Sequence, residues 1–317
     1  MLKKIFILLV SIACIAACNK KPKNPETYSR GFISIAVDES FAPIIDSQIM
    51  VFESMYPEAS IHPIYTTETQ AIDMLVNDSV RLVVVTRPLR EQEKAQLRER
   101  KLAARETQVA LDAVALIVNP ANMDSLMSIL TFRQILNGEI TEWKEINPNS
   151  NLGNIRVVFD NNRSATVRFA LDSVLRAPQM NATVFAQQNN TEVIDYVSRN
   201  PSALGVIGVN WIGNQADTTR MSFDQRVRVV AMSQSANATP ANSFKPFQAY
   251  MVGFRDESGW NKYPMTRNVY IISTDPRMGL PTGFANFMAS DRGQRIILKS
   301  GLVPAIVNQI RIINVQE

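Results

Sequence analysis

An α/β fold with a mostly parallel sheet is the class this sequence predicts, and three observations carry it. Short β-branched runs alternate with amphipathic stretches, one run is nearly continuous in apolar residues as a strand covered on both faces must be, and the alternation begins afresh after Asn119-Pro120. Phe32 to Val37 reads as the first strand. The helix after it starts near Pro43, with Ile45, Ile49, Phe52 and Tyr56 at spacings of four, three and four. Ser60 to Tyr65 is a second strand, followed by a helix that turns Ile72 and Leu75 inward. Val80 to Val85 is the near-continuous third strand, and a charged helix runs from Glu91 to about Lys101.

Val109 to Val118 is a long apolar strand, and beyond it the same units return. They are a helix at Thr131 to Asn137, a strand at Ile155 to Phe159, and a helix from Ser164 whose inner face is Val167, Leu171 and Val174. A helix near Thr191 to Arg199, a strand at Leu204 to Val209 and a run at Arg226 to Met232 follow. Ser233 to Phe244, rich in Ser, Asn, Ala and Pro, reads as loop. Asn268 to Ser273 is a late strand, and Gly283 to Ser300 a late helix carrying Phe284, Phe287, Met288, Ile296 and Ile297. No tandem repeat of short period is present; what recurs is a lobe.

The N-terminus is set apart from this pattern. Lys3 and Lys4 precede the apolar run Ile5 to Ala17, which is too short to span a bilayer unaided and has the form of a secretory leader, residues 1–17. Ile15-Ala16-Ala17-Cys18 resembles the lipobox of bacterial lipoproteins, which implies a lipidated Cys18 and a chain held to the membrane by acyl groups. An ordinary signal peptide with an incidental cysteine and a single transmembrane anchor are the alternatives. Cys14 fits less well, because Ser11 stands where an aliphatic residue is wanted. Residues 18–29, with Lys20-Lys21-Pro22-Lys23-Asn24-Pro25, read as a polar tether. With no acidic cluster after Cys18, the anchor is read as facing the periplasm, within the cell envelope.

Composition excludes several functions. The stretch from Cys18 to Glu317 is roughly 300 residues, more than one small core organises, so two lobes are expected. The formal charge of +4 includes Lys3 and Lys4 of the leader, and no basic run offers a phosphate-backbone track, so nucleic acid is not a partner. Cys14 and Cys18 are the two cysteines and His62 the one histidine, which leaves no thiolate or imidazole metal centre and no cofactor signature. His62 falls in a strand, and neither a Gly-x-Ser-x-Gly elbow nor a Gly-x4-Gly-Lys-[Ser/Thr] loop is present, so no enzyme is read here. The paired carboxylates Asp73 and Asp78, Glu91 and Glu93, and Asp256 and Glu257 read as solvated surface, and Trp143, Trp211 and Trp260 as packing residues.

Three strand-to-helix junctions carry the functional signal. Ser40 with Phe41 precedes the first helix, Thr67-Glu68-Thr69-Gln70 opens the second with capping-box spacing, and Ser164-Ala165-Thr166 opens a helix in the second half. A helix start presents unpaired N–H groups and the positive end of the dipole, so each junction is either an anion seat or simply an N-cap. Gathered at the carboxyl ends of the strands, the three would clasp a small oxyanion.

From Gly31 to about Ala305 the chain resembles the periplasmic phosphate-binding proteins of ABC transporters. The segments that carry the resemblance are Ser40 to Ile44, Val83 to Leu89, Asp112 to Asn119, Leu130 to Trp143, Tyr263-Pro264-Met265-Thr266-Arg267, and Gly293-Gln294 with Gly301 to Pro304. The resemblance implies the type II periplasmic binding protein fold, two βα lobes joined by a hinge of crossing strands. Lobe 1 would be 30–111 with 266–317 and lobe 2 would be 112–265. It implies inorganic phosphate, or a similar oxyanion, as ligand and an ABC permease as partner.

Carried over by motif, the ligand would meet Ser40 and Phe41, Glu68 and Thr69, Thr86 and Arg87, and Ser164, Ala165 and Thr166. Two departures stand out. Arg87 stands where the better-known branch has an aspartate and Asp160, or a neighbour, where it has an arginine, an exchange that would preserve an Arg87–Asp160 ion pair across the cleft; Arg87 as a solvated strand end is the alternative. Glu68 repels a dianion unless a proton is shared, so it either accepts a hydrogen bond from a protonated ligand or marks a chain whose ligand is not phosphate. A scaffold or accessory protein of the envelope without a small ligand is the rival from another class.

Overall fold

The computed structural model describes residues 26–213, 224–246 and 263–305. The leader, Cys18, residues 18–25 of the expected tether, Trp260, Asp256 and Glu257 lie outside them, as do 214–223, 247–262 and 306–317 of the expected lobes. Glu26 to Ser29, the end of that tether, pack against the fold. Glu26 pairs with Arg81 at 2.6 Å and accepts from the Leu280 amide. A Cβ on Gly283 would lie 1.9 Å from the Tyr28 carbonyl oxygen, so only glycine lets the chain pass there.

Strands β1 (Gly31–Asp38), β2 (Ala59–Thr66) and β3 (Leu82–Val85) form the parallel start of the sheet. Their residues alternate between two apolar clusters. Ile35, Val37 and Val84 face one, and Ala36, Val83 and Val85 face the other, so both faces are covered and the strand sequences need few polar residues. The helix Ala42–Met55 follows β1 with Pro43 in its first turn, where a missing N–H costs nothing. It buries Ile45, Ile49 and Phe52, and Phe52 meets Tyr56, Phe284 and Phe287 with ring centroids 4.9, 5.4 and 5.3 Å away.

β4 (Arg105–Val118) is the axis of the molecule. It starts before the expected Val109, because Arg105 to Gln108 are too polar to read as strand yet pair with the far end of β12. β5 (Leu126–Ser128) is short; β6 (Arg156–Phe159), β7 (Val184–Ala186) and β8 (Ala203–Gly208) build the second half of the sheet. The expected run Arg226 to Met232 breaks at Val230 into β9 (Arg228–Val229) and β10 (Ala231–Ser233). The Val230 amide bonds Leu116 and the Ala231 amide bonds Ser125, which moves the chain from one sheet to another. β11 (Ser243–Phe244) pairs with β10 where loop was expected; β12 (Thr266–Ser273) and β13 (Val303–Pro304) complete the set.

The main sheet has the order β2-β1-β3-β12-β4-β8-β6-β7, with β13 and β9 also on β4. β12 runs antiparallel to β3 and β4, and β8 antiparallel to β4, so the sheet is mixed where two parallel halves join. β4 pairs with β12 through Ala113 and with β8 from Val114 onward, and thus belongs to both halves. The late helix is two helices, Leu280–Ala289 and Asp291–Lys299. Ser290 is extended and caps the second by accepting from the Gly293 amide, an N-cap signal that outweighs the apolar period running through it. Trp143 is buried and donates to the Ser202 carbonyl, as a packing residue. His62 lies in β2 and is exposed.

Candidate functional site

The carboxyl ends of β1, β3 and β6 are drawn together by side-chain bonds, Arg168 to Thr86 after β3 and Asn190 to both Glu39 after β1 and Asp160 after β6, and the junctions singled out by sequence lie there. At the end of β1, Asp38 accepts from the Ser40 amide at 2.9 Å and caps a single turn of 3-10 helix, Glu39–Phe41. This turn buries Ser40 and Phe41 and leaves Ser40 Oγ and Asp38 Oδ2 without a hydrogen-bond partner. The Ser40 carbonyl accepts from Asn210 Nδ2 at 2.7 Å and Trp211 Nε1 at 2.9 Å, both from the 3-10 turn after β8. Trp211 is therefore a crevice residue as well as a packing one.

Thr67 caps the helix Glu68–Val76 as its spacing predicts, and its hydroxyl accepts from the Gln70 amide. Glu68, only 2% exposed, turns from that helix start to the end of β3, where it accepts from the Thr86 amide at 2.8 Å and the Thr86 hydroxyl at 2.6 Å. Its other oxygen is held by Arg168, which also donates to Thr86 Oγ1. Burial pushes the Glu68 carboxyl up, but the Arg168 guanidinium and the Thr86 bonds outweigh it and hold the carboxyl below its ordinary range. Glu68 is therefore an ionised acceptor engaged by the protein itself. Thr69, beside it, is exposed and stays outside this network.

In the second half, Ser164 caps the helix Ala165–Phe169 and accepts from the Val167 amide. Ser164 Oγ and Thr166 Oγ1 are 2.7 Å apart, Thr166 donates to Asp160 at the end of β6, and all three residues with Ala165 are buried. Asn190, at the start of the helix Asn190–Arg199, reaches Asp160 at 3.3 Å and also Glu39 of the first half. Glu39 is pushed up to about 7 by burial, with Asp160 and Asp38 adding to the rise, and Asp38 to about 6 by burial, against the pull of Arg267.

The expected Arg87–Asp160 ion pair does not form. Arg87 makes a two-pronged pair with Glu93 at 2.8 and 2.7 Å, because Glu93 in the first turn of the next helix is the nearer carboxylate, while Asp160 is engaged by Thr166 and Asn190. The cation that crosses the crevice is Arg168, two residues beyond Thr166. Other residues of this cluster also escaped the sequence reading: Asp38, Glu39, Asn190, Asn210, Asp112 and Arg267. Asp112 and Arg267 stood inside the motif segments without an assigned role; Arg267 Nε donates to Asp112 Oδ2 at 2.8 Å across the crossing strands. Among the described residues no group of His, Cys, Asp and Glu is placed to hold a metal, and no helix is long and apolar enough to cross a membrane.

Comparison with known proteins places this geometry in context. The family model of the PBP superfamily domain matches residues 22–292. A phosphate-binding protein PstS of Borreliella burgdorferi is 22% identical over 308 residues, covering 95% of this chain and 99% of the relative. Among solved structures, a chain described as a phosphate ABC transporter substrate-binding protein of Clostridium perfringens, with phosphate bound, superposes with a TM-score of 0.69 at 21% identity, over 86% of this chain and 99% of that one. An ABC-type phosphate transport receptor of Vibrio cholerae gives a TM-score of 0.59 at 20% identity, over 86% and 99%. The fold is the type II periplasmic binding protein fold that the resemblance implied, and the relatives carry the name it pointed to.

Proposed function

This chain belongs to the PBP superfamily, and on that premise we propose that it is a solute-binding protein that captures inorganic phosphate, or a similar oxyanion, and delivers it to an ABC permease. What supports the reading is that three junctions far apart in sequence are brought together by side-chain bonds: Arg168, beside Thr166, reaches Glu68 and Thr86, and Asn190 joins Glu39, next to Ser40, to Asp160. Hydroxyls and amides at helix starts stabilise an anion without a full compensating charge, and burial strengthens each bond.

In this reading lobe 1 is 30–111 with 266–317, lobe 2 is 112–265, and the crossing pair of β4 and β12 is the hinge on which they close. Ser40 and the Phe41 amide hold the ligand from lobe 1 and the Ala165 amide holds it from lobe 2; the hydroxyls of Thr86, Ser164 and Thr166, whose protons go to Glu68, Thr166 and Asp160 in this structure, serve the ligand once they turn from those acceptors. Asp160 and Glu68 hold those hydroxyls until the ligand arrives, and Arg87 braces the end of β3 through Glu93. No bond of the ligand is broken, so the protein is a carrier and not an enzyme. Cys18 would be acylated and keep the domain on the membrane, facing the periplasm.

One observation favours the rival, an envelope scaffold whose cleft is closed by its own side chains: Arg168 already holds Glu68 and Thr86 across the crevice. Calorimetry on the purified protein, dialysed free of phosphate, separates the two. Phosphate binding with a micromolar or tighter Kd, about −8 kcal/mol or better, supports the carrier. Heat at background for phosphate, arsenate, sulfate and molybdate supports the scaffold.

A further inference from the structure

Where the two crossing strands meet, the floor of the crevice holds a set of polar atoms that the protein does not satisfy. Arg267, on β12, is 5% exposed, and of its guanidinium only Nε is engaged, by Asp112 on β4. Nη1 and Nη2 are both buried and both lack a hydrogen-bond partner. Three acceptors and a hydroxyl nearby share the condition: Asp112 Oδ1, Asp38 Oδ2, Asn210 Oδ1 and Ser40 Oγ. Buried polar groups in folded proteins are nearly all paired, and a charged donor left unpaired costs more than a neutral one. Of this cluster the two guanidinium nitrogens and the Ser40 hydroxyl are the donors an anion would meet, while the three acceptors suit a water or a ligand hydroxyl.

The surroundings say what class of ligand fits. The guanidinium lies over the Phe41 ring, 5.3 Å from its centroid, so it is tied to the same turn that offers Ser40 and the Phe41 amide. Nη2 also approaches the backbone at the end of β8. A Cβ on Gly208 would lie 3.5 Å from Nη2 and 3.0 Å from Asn210 Oδ1, so the absent side chain keeps that side open. Burial works against the charge on Arg267, but the carboxylates of Asp112 and Asp38 more than restore it, so the group is a permanent cation. Two parallel N–H donors on a fixed plane match two oxygens of a tetrahedral or planar oxyanion.

We propose that Arg267 is a ligand-binding residue, the guanidinium that grips the oxyanion through Nη1 and Nη2 from the floor of the crevice, with Ser40 Oγ as a neighbouring donor. This rests on the carrier reading and adds to it a charged contact at the crossing strands themselves. Asp112 is the positioning residue, because its bond to Nε fixes the plane in which the two free nitrogens lie. The site so completed takes its charge contact from β12 and a hydroxyl contact from the turn after β1, which the Phe41 ring ties to the guanidinium.

The test is phosphate calorimetry on wild type, Arg267→Lys, and the pair Arg267→Met with Asp112→Asn, which removes the cation without leaving a buried carboxylate alone. Thermal unfolding of each runs alongside. Wild type binding phosphate, Arg267→Lys at least tenfold weaker with a similar melting temperature, and the pair weaker still, is the expected result. Both variants within threefold of wild type would overturn the role of Arg267 while leaving the carrier reading intact. No binding by wild type would remove the carrier reading, and this inference with it. Should the variants not fold, a crystal structure of the wild-type phosphate complex decides: phosphate oxygens about 3 Å from Nη1 and Nη2 support the assignment, and an anion beyond hydrogen-bond reach of both overturns it.

Discussion

The contact that spans the crevice, Arg168 to Glu68, makes a prediction whose size follows from burial. Glu68 is almost fully buried and keeps its two bonds from Thr86 if Arg168 is lost, but its nearest guanidinium is then Arg87 Nε, 3.9 Å away, with Arg267 acting at longer range. Breaking a fully buried ion pair from one side costs about 3–5 kcal/mol. The Arg168 side chain is 24% exposed, so water softens the loss and Arg168→Met is expected to cost about 2–3 kcal/mol. Glu68→Gln, which keeps acceptance from Thr86, is expected to cost about 2 kcal/mol.

The double variant should cost less than the two single changes together, by a coupling of about 1.5 kcal/mol. The assay is a double-mutant cycle read from urea unfolding near neutral pH. Glu68 titrates below its ordinary range when folded, so the stability it contributes is present above about pH 4.5 and is lost as pH falls through the folded value. The cost of Arg168→Met should accordingly shrink in acid. A coupling under about 0.5 kcal/mol, or a cost that does not change with pH, would refute a bridge made by this pair.

Further outcomes follow from other residues. Asp38 and Glu39 titrate at about 6 and 7 against ordinary values of 3.8 and 4.5, so the folded state keeps protons that the unfolded chain has already released. The advantage of those protons is lost as pH rises through the window from about 4 to 7; Asp38 alone accounts for up to about 3 kcal/mol, and thermal midpoints of the ligand-free protein should be higher at pH 5 than at pH 7.5, with Asp38→Asn flattening the slope. Ser164→Ala and Thr166→Ala should each weaken phosphate binding by about 1–3 kcal/mol in calorimetry, and wild-type affinity in both would take the second half out of the site. Gly283→Ala sets a methyl against the Tyr28 carbonyl and should cost about 1–3 kcal/mol in urea unfolding; an unchanged midpoint would show that residues 26–29 are not anchored there.

What was legible in the sequence is what short-range physics writes locally. β1, β2 and β3 are read from their apolar runs and the helix starts at Thr67 and Ser164 from their caps, while Ser40 and Thr166, singled out by motif order, are buried at such junctions. Strands of two or three residues, such as β5, β11 and β13, are too short to show a period and exist because a neighbour pairs with them. Electrostatic partners are harder still. Glu68 and Arg168 lie 100 positions apart and Asp112 and Arg267 lie 155 apart, so only the fold introduces them. The expected Arg87–Asp160 pair failed for the opposite reason: a competitor six residues away, Glu93, reaches Arg87 first.

On the carrier reading, two groups of helix-start donors, Ser40 with Phe41 and Ser164 to Thr166, serve one anion. Anomalous diffraction from crystals grown with arsenate locates such an anion by its own scattering. A single strong peak between these two groups, within hydrogen-bond reach of both, is the predicted result. A peak touching only one group, or arsenic sites scattered over the surface with the crevice unoccupied, would contradict it.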